Sequence, residues 1–388
     1  MGASSAGPIF LKSINSSGVV KDGGYIAKLF IKVIEDVDPK NVVQVITDNT
    51  GNMKLAGTIV EETFPHIFWT PCIVHCLNLS LKSMCQPSKK LAHFTSCAWI
   101  LKEIGYVSSL KNFVVNHDMA HAIFQKHLEL SLLKVAETRF ASHIVMTSRV
   151  YKVKFSLEKM VMDDEWKNYK GDKVLEARER EIKSLVMDDE WWDKVEYFLK
   201  CTELIISMLR RADLDISQLH LIYDMCDTMI EKVKLIVFEH EGKDLINGQS
   251  EFFDTIQEIL VARWNKSDTP LHCLSHFLVP KYYHESWLQG EDNGIRRLAP
   301  NEDREIVSNR IKCFQRYFKN PNDLKQVSLE YGAFCSLSGG DHFNIDESVN
   351  ELVELSIDEP QLEGVFFENE VENLEEDDSM EEIEEDDL

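Results

Sequence analysis

The sequence predicts an α/β sheet domain followed by a large all-helical region and a disordered acidic tail, on three observations. A short β-branched run, Val42, Val43, Val45 and Ile46, ends near Asp48. From Leu101 to Phe343 the apolar residues recur at helical spacing. From Asp346 to Leu388 the chain holds 20 Asp plus Glu and no Lys or Arg. The expected domains are therefore 1–100, 101–343 and 344–388.

The β-branched run has the composition of a strand buried on both faces of a mainly parallel sheet. Asp48 falls just past its carboxyl end, where ligands and active-site groups collect in open α/β sheets. Asn49, Gly51 and Asn52 supply turn chemistry, and Leu55, Ala56, Ile59 and Val60 form the stripe of an amphipathic helix. Spacing alone allows Asp48 to be a helix N-cap instead of a chemical group. Upstream, Ile9 to Ile14 reads as another strand. The helix after it carries Ile26, Leu29, Phe30, Val33 and Ile34 on one face, and Asp38 with Pro39 stops it.

The helical region is illustrated by Phe198, Leu199, Leu204, Ile205, Met208 and Leu209, and again by Leu219, Ile222, Tyr223, Cys226, Met229 and Ile230. Val161 to Trp166 (VMDDEW) recurs at Val186 to Trp191, a 25-residue offset that occurs only twice and so makes no solenoid. Trp264, Phe277, Tyr282, Tyr283 and Trp287 read as core aromatics before base-stacking ones.

Net charge is −24, but the tail carries −20 of it and leaves −4 for the other 345 residues. That tail is too charged and too poor in periodic apolar residues to join a core, so disorder is expected. Nine cysteines without a paired framework point to a reducing compartment. No run approaches the ~18 apolar residues of a membrane span.

Cys72, His75 and Cys76 have metal-ligand chemistry. Structural zinc needs four N/S ligands, usually two close pairs, and Cys85, His93 and Cys97 give no recognised second pair. No metal is expected, and Ile73, Val74, Leu77 and Leu81 mark a buried helix on which Cys76 is core.

Taken together, Thr47-Asp48-Asn49, Trp69-Thr70-Pro71-Cys72-x-x-His75-Cys76, Glu137-Thr138-Arg139-Phe140, Arg263-Trp264, His272 to Tyr283 and Cys313-Phe314-x-x-Tyr317-Phe318 resemble the core of plant hAT-type transposases. The resemblance implies an RNase H-like sheet with a large helical domain inserted into it. It also implies a site in which two Asp and one Glu hold two metal ions for DNA strand cleavage and transfer. Asp48 is the one catalytic carboxylate that can be placed. The family's first Asp falls ahead of Met1, and its Glu falls beyond the stretch of resemblance, which ends near Phe343.

The expectation is a truncated, transposase-derived protein without catalytic activity, located in the nucleus by family resemblance. It would bind DNA weakly and non-specifically or associate with other transposase-like proteins, with no membrane and no small-molecule substrate. Cys72 and His75 would shape the DNA-facing surface. Arg139 would contact a phosphate, a role its fork suits, or form a surface ion pair. No cofactor is expected. The alternative is an active nuclease that has recruited substitute carboxylates, and only that reading requires Mg²⁺.

Overall fold

The computed structural model describes all residues except 5–6, 88–92, 128–131, 133–139, 169–172, 215–217, 268–269, 290–295 and 339–388. In chain order, the first part contains β1 (Gly2–Ser4), β2 (Gly7–Ile9), α1 (Gly23–Val37), β3 (Gln44–Thr47), α2 (Gly51–Thr63), β4 (Phe68–Pro71) and α3 (Ile73–Cys85). Helices α4 (His93–Asn116), α5 (Asp118–Lys126), α6 (Phe140–Lys152), α7 (Lys154–Met162), α8 (Asp164–Asn168), α9 (Lys173–Val186) and α10 (Asp189–Ala212) follow. Then come α11 (Ile222–His240), α12 (Glu251–Ser267), α13 (Pro270–Phe277), α14 (Glu285–Leu288), α15 (Arg304–Tyr317) and α16 (Pro321–Ser338). The fold is mostly helical, with small two-stranded sheets. It forms two compact units: Met1–Ala98 groups with the stretch that resumes at Lys200, and Trp99–Leu199 stands as the second.

In the first unit, β3 and β4 are parallel, with Gln44 opposite Phe68 and Thr47 opposite Pro71. Helix α2 makes the crossover between them, so both strands end at the same edge. Helix α1 opens on Asp22, whose carboxylate accepts the Tyr25 N–H at 2.7 Å. It closes at Asp38, which takes a left-handed φ of 74° just before Pro39, as the sequence anticipates. Ile34, Val60 and Ile67 form the core between α1, α2 and the approach to β4, with Phe30, Val42, Val45 and Phe64 packed on it.

Gly57 sits where α2 crosses β4. A Cβ there would fall 2.2 Å from the Trp69 ring, so only glycine permits that approach. Phe68 is buried against Leu271 of α13 and Cys313 of α15, which joins the sheet to the later helices. Phe277, Tyr282 and Tyr283 are buried, in keeping with core aromatics.

Two strand expectations need correction. Pairing of the first hairpin stops at Ile9, and Phe10 to Ile14 has no partner strand; Phe10 is 67% exposed. Apolar alternation cannot supply the partner that makes a segment a strand. β3 is also not buried on both faces, since Ile46 is 59% exposed and Val43, just before it, 50%. Only one strand, β4, is paired with it among the described residues.

The second unit has one core, in which Trp166, Trp191 and Trp192 pack with Phe113, Phe124, Leu157 and Val195. The VMDDEW near-repeat is a helix-start cassette. Asp163 and Asp188 each accept the N–H two residues on, at 2.8 and 3.0 Å, and the valine and tryptophan of each copy are buried. The acidic tail expected over 344–388 lies outside the described residues.

Candidate functional site

The parallel pairing of β3 and β4 brings Asp48 and Cys72 to the same end of the sheet, each one residue beyond its strand. The Cys72 N–H donates to the Thr47 carbonyl at 2.7 Å, which fixes the two strand ends side by side. Trp69 Nε1 donates to Thr47 Oγ1 at 2.9 Å, and Thr47 Oγ1 in turn donates to the Asp48 carbonyl at 2.8 Å. The site backbone is thus held from three directions.

One oxygen of Asp48 is already engaged. Its Oδ1 accepts the Thr50 N–H at 3.2 Å and the Thr50 hydroxyl at 2.9 Å, so the carboxylate organises the entry to α2. The cap position itself belongs to Thr50. Thr50 is the partner that sequence reasoning missed, although its offset from an Asp is a turn signal. Beside it, Asn49 Oδ1 is buried without a hydrogen-bond partner.

Cys72 is half-buried at the cap of α3, and half-buried His75 lies on the first turn of that helix. Cys76 is core. Burial pushes the Cys85 thiol up, with Cys97 adding to the effect, and pushes Cys97 up to about 11, so both stay protonated at neutral pH. Among the described residues no three His, Cys, Asp or Glu side chains gather as a metal site. Arg139, and the Glu137 to Arg139 part of its motif, lie outside the described residues.

Carboxylates do gather elsewhere in this unit, between α11 and the start of α15. The Tyr223 hydroxyl donates to Asp303 at 3.1 Å and lies 3.4 Å from Glu305, while Trp264 Nε1 donates to the other Glu305 oxygen at 3.2 Å. Asp303 also caps α15, and Arg297 stands 3.9 Å from Asp224. Asp227 lies among them. Its side chain reaches water, yet protein mass crowds it, and that desolvation with the charges of Asp303, Glu305 and Asp224 holds its carboxyl at about 7. Nearby, burial lowers His272 to about 4 and His276 to about 3, leaving both imidazoles neutral.

A family model described as a domain of unknown function (DUF659) matches residues 1–110, the stretch that contains β1 to α3 and the Asp48–Cys72 edge. The match supports a transposase-like protein. A search of curated proteins finds none that matches the chain. No helix among the described residues is long and apolar enough to cross a membrane.

Proposed function

We propose that this chain is a transposase-derived protein of the hAT-like class whose sheet region is RNase H-like in origin. In this reading it does not cleave DNA, and it acts in the nucleus through weak binding to DNA or to related transposase-like proteins. The family match over residues 1–110 supports the origin. So does the strand–helix–strand arrangement, which sets Asp48 and Cys72 at one sheet edge.

The observation that carries the inactive reading is the engagement of Asp48 Oδ1 by both donors of Thr50. Two-metal phosphoryl transfer requires carboxylates that converge on ions roughly 3.5–4 Å apart. Here Asp48 serves as a turn acceptor. The Asp227 group, where acids do converge, hangs on α11 and α15 rather than on the strand ends. Arg139 is the proposed phosphate contact, and Cys72 with His75 the proposed DNA-facing residues.

The test is a DNA-nicking assay with the purified chain and Mg²⁺ or Mn²⁺. No cleavage above a protein-free blank is expected, and Asp48→Ala should change nothing but stability, by about 1 kcal/mol for the lost turn bonds. Metal-dependent nicking that Asp48→Ala abolishes would establish the alternative, an active nuclease. Nicking that survives Asp48→Ala but is lost with Asp227→Asn would place the chemistry on substitute carboxylates.

A further inference from the structure

The second unit contains a groove of about 980 Å³ between α4, α9 and the start of α10, and nothing in the proposed function uses it. Its floor follows one face of α4, from Lys102 through Tyr106 and Phe113 to His117. Its walls are mixed in charge, with Arg178 and Lys194 set against Glu181 and Asp188, so no single sign of ligand charge is favoured overall.

Two buried polar atoms without partners lie in the lining. Glu103 is 5% exposed and its Oε2 accepts no hydrogen bond; Trp191 is 3% exposed and its indole N–H donates none. The indole stands close enough to the carboxyl to favour its charged form without reaching hydrogen-bond geometry, so the two atoms are neighbours that do not satisfy each other. Leaving such atoms unpaired costs about 1–3 kcal/mol each. Trp191 is fixed by Asp188, which accepts its N–H at 3.3 Å, and Trp192 Nε1 is bonded to the Val186 carbonyl at 2.8 Å. The unpaired donor is therefore a feature of a rigid helix start.

A ligand that pairs with both atoms carries a donor beside an acceptor. Charge narrows the class further. Lys194 and Lys102 are the charges that most favour Glu103 as carboxylate, so an added cation would meet them and an added anion would meet Glu103. Both lysines are exposed, and Lys194 is paired with Glu190 at 2.8 Å. Their chains can swing aside to admit a small polar group.

We propose that this groove binds a neutral primary carboxamide, whose NH₂ donates to Glu103 Oε2 and whose carbonyl accepts from Trp191 Nε1. The amide can belong to a small aromatic carboxamide resting near Tyr106 and Phe113, or to a Gln side chain of a peptide. The proposal does not depend on the transposase reading, since every residue in it belongs to the second unit.

The test compares benzamide, benzylamine and benzoate, which share a ring and differ in the polar group, against the full chain by ligand-observed NMR titration. N-acetylglutamine methylamide serves as a fourth probe. Benzamide should bind in the millimolar range expected of a ligand this small, and at least fivefold tighter than the amine or the acid. Tighter binding of the glutamine probe than of benzamide would identify a peptide side chain as the source. The reverse order would identify a free aromatic amide. Trp191→Phe keeps the ring and removes the donor, so it should weaken benzamide by about five- to tenfold with the circular dichroism spectrum unchanged. Preference for benzylamine or benzoate, no binding by either amide, or equal benzamide affinity in a folded Trp191→Phe protein would overturn the proposal. The probe series in the unmutated chain decides it even where that variant fails to fold.

Discussion

Arg316 on α15 and Glu61 on α2 form an ion pair of 2.9 Å that holds the later helices of the first unit to its sheet. The guanidinium also donates to the carbonyls of Pro65 and Ile67 and lies 3.9 Å from the centre of the Phe68 ring. Glu61 Oε1 accepts the Trp69 N–H at 3.0 Å as well, so one carboxylate oxygen serves both β4 and α15. Lysine keeps the charge but lacks the planar fork that reaches two carbonyls and a carboxylate together. Arg316→Lys should therefore cost about 2 kcal/mol in urea unfolding. Loss within error of zero would show that the fork contributes nothing to the sheet–helix junction.

Gly57→Ala should destabilise by about 1–3 kcal/mol, because Trp69 is tied at its indole N–H and cannot retreat from an added methyl. Helix propensity alone points the other way, favouring alanine by about 1 kcal/mol. The sign of the change in thermal midpoint thus separates close packing from propensity. A rise in midpoint would mean that Trp69 has room to move.

Asp227 gives stability a definite pH dependence. Its folded value of about 7 lies above the unfolded value, so between about pH 4 and pH 7 the unfolded chain has released a proton that the folded chain keeps. This contribution is neutral below that window, becomes more destabilising as pH rises through it, and is constant above it. Asp227→Asn should be more stable than the unmutated chain at about pH 8 and equal to it at about pH 4. Since the side chain reaches water, salt should shrink the difference. A gain of the same size at both pH values would assign the effect to packing.

Deleting Asp346–Leu388 removes −20 of a −24 net charge. Weak DNA binding, read by fluorescence anisotropy, should rise on deletion, and the gain should shrink as salt increases because both competing terms are electrostatic. Arg139→Ala in the shortened chain should lower what binding remains. Equal and undetectable binding by both chains would remove nucleic acid as a partner and leave protein association as the role.

How much the sequence could convey depends on the physical origin of each signal. The stop at Asp38-Pro39 is local backbone chemistry and was legible as such. The apolar stripes of α1, α2 and α11 are one-helix properties and were legible too: Ile34, Ala56, Val60, Ile222 and Cys226 are all buried. Phe10 to Ile14 misled, because its pattern fits a strand while strand formation depends on a partner elsewhere. Helical periodicity likewise cannot say which helices pack together, so it does not reveal that the chain rejoins the first unit from Lys200.

At the candidate site, the placement of Asp48 beside Cys72 followed from strand order, whereas its bond to Thr50 depends on a side-chain rotamer. Glu103 was illegible because a glutamate between Lys102 and an apolar residue reads as surface. Only the geometry of three helices buries it.

The paired VMDDEW cassettes have a consequence for how the second unit finds its native state. Because their six residues are identical, the local free energy of starting a helix is the same at Asp163 and Asp188, and neither start can recognise its own place. Discrimination falls to the neighbouring residues, Lys167 and Asn168 after the first copy and Trp192 and Val195 after the second. The unit's topology is therefore decided late, by the second tryptophan of a Trp-Trp pair, and a chain that seats Trp191 where Trp166 belongs must open its core again to correct the mistake.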